Sequence, residues 1–150
     1  MIPAPYDNES QRNISGTDLV SRVASQRRAA RFMKLERIDG QNWEAFVASP
    51  AAVMMIGKSD CAACAAWTVE LEAFLETDER WRHVRFGKLL LDKPGLISFK
   101  RANPWIADLH DLPTNVLYVN GQEVKRFAGS GVERLVTRLE RSVGEAASPS

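Results

Sequence analysis

Side chains that bind metals are scarce in this chain, which has two cysteines and two histidines. A structural zinc site takes about four such ligands. Cys61 and Cys64 lie close together, but His83 and His110 are distant from them and there is no second C-x-x-C. We therefore expect neither a metal nor a cofactor. An excess of one charge is also missing. Lys and Arg number 20, Asp and Glu number 19, and the net charge is +1. That balance speaks against a general nucleic-acid binder. No apolar run approaches the roughly 20 residues that span a bilayer, so no membrane-spanning segment is expected. Residues 1–25 lack a basic stretch followed by an apolar core, so no secretory signal is expected and a cytoplasmic setting is the default. No internal repeat is found. What remains is a chain of 150 residues with 45% hydrophobic content, which suits one globular domain with tails.

Both cysteines fall in Ser59-Asp60-Cys61-Ala62-Ala63-Cys64-Ala65-Ala66-Trp67. In a reducing compartment, a C-x-x-C is more often catalytic or metal-binding than a structural staple. The unbroken apolar run Ala51–Ile56 precedes it and reads as a strand buried on both faces. After it, Trp67, Leu71, Phe74 and Leu75 recur at helical spacing. Cys61 should therefore sit at a strand-to-helix turn. There the unpaired amides and the helix dipole favour a thiolate. Cys64 falls on the buried stripe with Trp67 and Leu71. The pair should be unequal, with Cys61 as the exposed attacking sulfur and Cys64 as the shielded resolving one.

In chain order, residues 1–16 read as a flexible arm and 17–31 as an extra helix. One side of that helix carries Arg22, Arg27, Arg28 and Arg31. A solvated face is the plain reading of this side, and a docking surface for an acidic partner is the sharper one. A domain is expected over 32–143 and a flexible tail over 144–150. Within the domain, strands are expected at 32–38, 51–56, 83–91, 115–119 and 123–127. Helices are expected at 41–48, from Cys61 to about Asp78, at 96–109 with a break at Pro104, and at 132–143. Asn120-Gly121 signals a tight hairpin. The alternation of elements predicts an α/β fold with a mainly parallel sheet and helices on both faces, to which the terminal hairpin adds an antiparallel strand.

From about Phe32 to Val143 the sequence resembles the thioredoxin family. The buried strand before Cys61, the C-x-x-C itself, Leu112-Pro113-Thr114, the Asn120-Gly121 hairpin and the closing amphipathic helix occur in the family's order. The resemblance implies a thioredoxin fold, a central mixed sheet of about five strands flanked by helices. It implies that Cys61 is the nucleophile and Cys64 the resolving thiol. It also implies that Pro113 is cis and, with Leu112, contacts substrate. Lys88, in Gly87-Lys88-Leu89-Leu90-Leu91-Asp92, corresponds to the family's semi-buried lysine. Protein disulfides would be the substrates, with an electron donor such as a reductase as partner. The chain departs from the pattern at several places. Met55 stands where thioredoxins proper carry a buried aspartate. Gly57 and Asp60 replace the tryptophans that flank the motif, and Ala62-Ala63 replaces Gly-Pro. Val69 stands where many members have a proline, and the segment between Asp92 and Pro113 is longer.

Asp60 is the neighbour that matters most, because a carboxylate beside Cys61 opposes its thiolate. That favours a reductant or slow exchanger over a disulfide donor. Asp60 also reads as a helix cap. His110, near Pro113, reads either as an exposed loop residue or as a proton shuttle, and His83 reads as surface. Trp43, Trp67, Trp81 and Trp105 read as core and rim packing. Two functions are therefore expected: a thiol–disulfide oxidoreductase acting through Cys61 and Cys64 or, alternatively, a thioredoxin-fold interaction module or redox switch with little general catalysis.

Overall fold

The computed structural model describes residues 34–144. The expected arm, the arginine-bearing helix at 17–31, the start of the first strand and the tail beyond Gly144 lie outside the described residues. The elements follow the order β1 (Leu35–Ile38), α1 (Trp43–Val47), β2 (Ala51–Gly57), α2 (Ala62–Thr77), a 3-10 turn at Glu79–Trp81, β3 (Arg85–Leu90), α3 (Ile97–Ala102), a 3-10 turn at Pro104–Asp108, β4 (Thr114–Val119), β5 (Gln122–Ala128) and α4 (Val132–Arg138). A π-helical turn, Leu139–Gly144, continues α4. A plain α-helix to Val143 was expected there, but the wider turn still buries Leu139 and Val143.

The five strands form one sheet in the order β1-β3-β2-β4-β5. β2 is its central member, and all 7 of its residues are buried. Its side chains alternate between two cores. Val53 and Met55 join the core under α2 and α4, with Trp67, Leu71, Phe74, Leu135 and Leu139. Ala52, Met54 and Ile56 join the opposite core, with Phe46 of α1, Phe99 of α3 and Ile106. Burial of each large apolar side chain is worth about 1.5–3 kcal/mol, so this two-sided packing makes β2 the anchor of the domain.

The sheet is less parallel than the alternation of elements suggested. β1 and β2 run parallel to β3, but β4 is antiparallel to β2 and β5 is antiparallel to β4. The reason lies in the segment after β3. Pro104 stands at the start of the 3-10 turn that follows α3, so no single helix carries the chain across the sheet. The segment leaves at Leu90, paired with Gly57, and returns at Thr114, paired with Ile56. Both ends therefore lie at the same end of β2, and β4 must run the opposite way. The hairpin that follows turns at Asn120 (φ 52°) and Gly121 (φ 83°), the left-handed pair that an Asn-Gly hairpin accommodates.

Gly87 shows how tightly the second core is filled. It pairs with Glu36 and Met54 on the neighbouring strands. A Cβ there would lie 2.5 Å from Ile38 Cγ1 and 2.8 Å from Phe46 Cζ. Gly87→Ala should therefore lower stability by about 1–3 kcal/mol through overpacking, read as a lower urea midpoint at unchanged slope.

Candidate active site

The site forms where β2 ends. Gly57 O accepts the Leu91 N–H at 2.8 Å, and Cys61 N donates to Lys58 O at 3.3 Å, closing a tight turn over residues 58–61. Asp92 braces this turn from the end of β3. Its Oδ1 accepts both the Ser59 backbone N–H at 3.0 Å and the Ser59 hydroxyl at 3.2 Å. The backbone bond from Ser59 is the main reason that the Asp92 carboxyl is held below the usual carboxylate range.

The helix cap is Cys61 itself, in extended geometry (φ −101°, ψ 111°). Its Sγ accepts the Cys64 backbone N–H at 3.0 Å, and its carbonyl accepts from Ala65 N at 3.1 Å. The sulfur thus takes one of the orphan amides that a Ser or Asp cap would satisfy. Asp60, the alternative cap read from the sequence, is exposed and outside the helix. Cys61 and Cys64 are joined by a disulfide with Cα atoms 5.2 Å apart. The two sulfurs are in unequal surroundings. Cys61 is half-buried, whereas Cys64 is 1% exposed and packs with Met55, Trp67 and Leu71.

Gly57 makes this packing possible. A Cβ there would stand 2.9 Å from Cys64 Sγ and 3.1 Å from Cys64 Cβ. Met55 fills the apolar space on the same side of β2, and Lys88 is its register partner on β3. Lys88 is half-buried, and its ammonium makes no ion pair or hydrogen bond among the described residues. It borders a groove of about 640 Å³ together with Arg37, Thr68, Glu72 and Leu90. Lys88 thus lies beneath α2, on the sheet.

The opposing wall is the loop before β4. The Leu112–Pro113 peptide is cis, and Thr114 pairs with Ile56, which puts the loop at the Cys61 end of β2. Leu112 is half-buried and touches both cores, and Cys61 packs against the first of them. The fold therefore gathers Cys61, Cys64, Leu112 and Pro113 at one end of the sheet, with Asp60 exposed beside them. His110 is exposed in the same loop, and its imidazole makes no hydrogen bond or ion pair among the described residues. His83 lies in the turn before β3, tilted against Trp81 at 6.1 Å between rings, at the other end of the strand. No cluster of metal ligands occurs among the described residues, and no helix among them is long and apolar enough to cross a membrane. Trp67 and Trp81 are buried. Trp105 lies at the rim with the Arg126 guanidinium 3.5 Å from its ring centre.

Three features of the site escaped the sequence reading. The Ser59–Asp92 brace joins residues too far apart to pair by pattern. The need for Gly57 appears only once Cys64 is placed against it. Asn115 was read as an ordinary strand residue, yet it is a fully buried amide. Its only signal was a polar residue at the head of an apolar strand.

The Asp92 brace should respond to acid. A carboxylate with a lowered folded-state pKa stabilises the structure above its unfolded value, and that contribution is lost as the pH falls through the folded value. Amide exchange at Ser59, taken relative to the intrinsic rate at each pH, should stay slow at pH 5 and should accelerate once the pH falls below the ordinary carboxylate range. In Asp92→Ala it should be fast at both pH values. Slow exchange in that variant would show that the turn holds without the brace.

No family model matches the sequence, and no curated protein does either. Solved structures do match the fold. Thioredoxin f from spinach chloroplast (long form) superposes with a TM-score of 0.60 at 17% identity, over 82% of this chain and 94% of that chain. Thioredoxin f2 from Chlamydomonas reinhardtii gives 0.59 at 21% identity, over 73% and 96%. A chain of the complex of ferredoxin:thioredoxin reductase and thioredoxin f2 gives 0.59 at 15% identity, over 75% and 97%. The expected architecture of a mixed sheet of five strands with helices on both faces is therefore confirmed. The chain is a thioredoxin-fold protein whose longest described helix opens on a disulfide-linked Cys-Ala-Ala-Cys pair.

Proposed function

We propose that this chain is a thiol–disulfide oxidoreductase that reduces or exchanges protein disulfides. One observation carries the reading: a disulfide-bonded pair with one half-buried sulfur at a helix cap and the other buried beneath it. In the reduced form, the Cys61 thiolate attacks one sulfur of a substrate disulfide. The other substrate sulfur leaves as a thiolate, and a mixed disulfide forms at Cys61. Cys64 then loses its proton to solvent and attacks Cys61 Sγ. The second substrate thiolate leaves, and the Cys61–Cys64 disulfide is restored.

The other residues take supporting roles in this reading. Leu112 and the cis-Pro113 loop form the surface against which an extended substrate lies. The Asp60 charge opposes the Cys61 thiolate, which favours a reductant or slow exchanger over a disulfide donor. His110, exposed on the loop, takes or returns a proton when a substrate covers the site. Lys88 supplies a fixed positive charge beneath α2. Turnover needs an electron donor to reopen the disulfide, and a reductase is the natural class. One structural neighbour was solved in a complex of ferredoxin:thioredoxin reductase and thioredoxin f2. A reducing cytoplasm suits a chain whose only cysteines form a C-x-x-C. For Arg22, Arg27, Arg28 and Arg31, which lie outside the described residues, docking of an acidic partner stands as a proposal beside a plain solvated face.

A second reading keeps the fold and the switch but drops general catalysis. Met55 favours it, because it places a thioether, and no carboxylate, in the core beside Cys64. A thioether cannot accept the resolving proton, so the second step is slow.

Reduction of a disulfide-bonded protein by dithiothreitol separates the two readings. We expect wild-type protein to accelerate it. Cys61→Ser should lose that acceleration, by on the order of a hundredfold or more, and Cys64→Ser should accumulate a mixed disulfide at Cys61. Wild type and both variants giving the same rate would leave only the switch.

A further inference from the structure

We infer that Asn115 is a positioning residue, fixing the Pro113 loop relative to the dithiol helix so that a peptide-borne disulfide reaches Cys61. This inference rests on the oxidoreductase reading and goes beyond it. Asn115 lies two residues after Pro113 and pairs with Met55 in the sheet. Its side chain is fully buried. The Oδ1 atom accepts the Trp67 indole N–H at 2.8 Å. The Nδ2 atom donates to Gly129 O at 2.9 Å and, at 3.5 Å, to Phe127 O. Gly129 N in turn donates to Pro113 O at 2.8 Å.

These bonds make one continuous chain. It runs from Trp67, one helical turn beyond Cys64, through Asn115 to Gly129 and back to Pro113. Two walls of the site, the helix with the sulfurs and the loop with the cis bond, are thereby linked through a single amide. Elsewhere the surrounding core is almost wholly apolar, with Val53, Met55, Leu117 and Phe127 nearby. A leucine of similar volume would fill the space without needing any partner. A buried amide costs desolvation and is tolerated only when its bonds are made. In return it allows one arrangement and excludes sliding, as a satisfied polar network does. Trp67 has the matching property, because its indole N–H would be orphaned in this core without Oδ1. Leu112 lies just before the linked proline, so the surface that meets a peptide substrate takes its position from this chain.

The consequence is selective. A small disulfide needs only access to Cys61, whereas a peptide disulfide also needs the loop in register. The test compares Asn115→Leu and Trp67→Phe with wild type, all reduced and all checked for folding by circular dichroism. Each is reacted with hydroxyethyl disulfide and with a synthetic peptide closed by one disulfide. For Asn115→Leu we expect the second-order rate with the peptide to fall about tenfold, as a loop out of register with the dithiol predicts. The rate with hydroxyethyl disulfide should stay within about twofold. Trp67→Phe deletes only the donor and should show the same selectivity more weakly. If Asn115→Leu does not fold, Trp67→Phe decides alone. Equal losses with both disulfides, or no loss with either, would make Asn115 purely structural and overturn the inference. A wild-type protein that reacts with hydroxyethyl disulfide but never reduces the peptide would overturn the oxidoreductase reading, and this inference with it.

Discussion

Everything at the reactive end of this molecule depends on a missing side chain at Gly57. The central strand has to finish close enough to α2 for Cys64 to sink into the core, and the space left for its sulfur is less than a carbon's contact distance. In this chain a Cβ at Gly57 would crowd the Cys64 sulfur. Cys61, three residues before Cys64, caps the helix, and the cap position leaves that sulfur half-exposed. The inequality between the two sulfurs thus follows from strand packing. It does not require any special property of the cysteines.

The turn over residues 58–61 is held from several sides. Backbone bonds close it, the Asp92 carboxylate braces it, and the register of β4 places the Pro113 loop across from it. Each element reaches the site from a different part of the chain. Such a site is rigid because no single segment can move without breaking bonds to another. A fixed frame also suits the exchange reaction, in which the sulfur atoms must approach each other along a narrow line.

Much of this was legible in the sequence, for reasons that differ from residue to residue. Cys64, Trp67, Leu71, Phe74 and Leu75 announced their burial through helical spacing, and all five are buried. Ala51–Ile56 announced a doubly covered strand through its unbroken apolarity, which the sheet bears out. Asn120-Gly121 announced a turn through its backbone preferences. Strand direction was harder to read. The alternation of elements suggested a mainly parallel sheet, but Pro104 prevents one continuous helix from crossing it, and β4 runs antiparallel instead. The cap at Cys61 was assigned to Asp60 as an alternative because oxygen caps are common and sulfur caps are not. The partners of Asn115 and Asp92 were not legible, because they lie 48 and 33 residues away in the chain. Periodicity reports which side of an element is buried, and it carries no information about which polar groups meet across such separations.

The excursion between β3 and β4 departs from the sheet and rejoins it at the same end, next to the sulfurs. A detour of this kind can gain or lose residues in the course of evolution while every strand keeps its neighbours, since lengthening a loop costs little entropy. The protein therefore has one wall of its reactive cleft on a connection whose exposed turns can change length, and a second wall on the packed helix α2. New clients would be recruited by lengthening or reshaping that detour, while the sulfur chemistry stayed as it was.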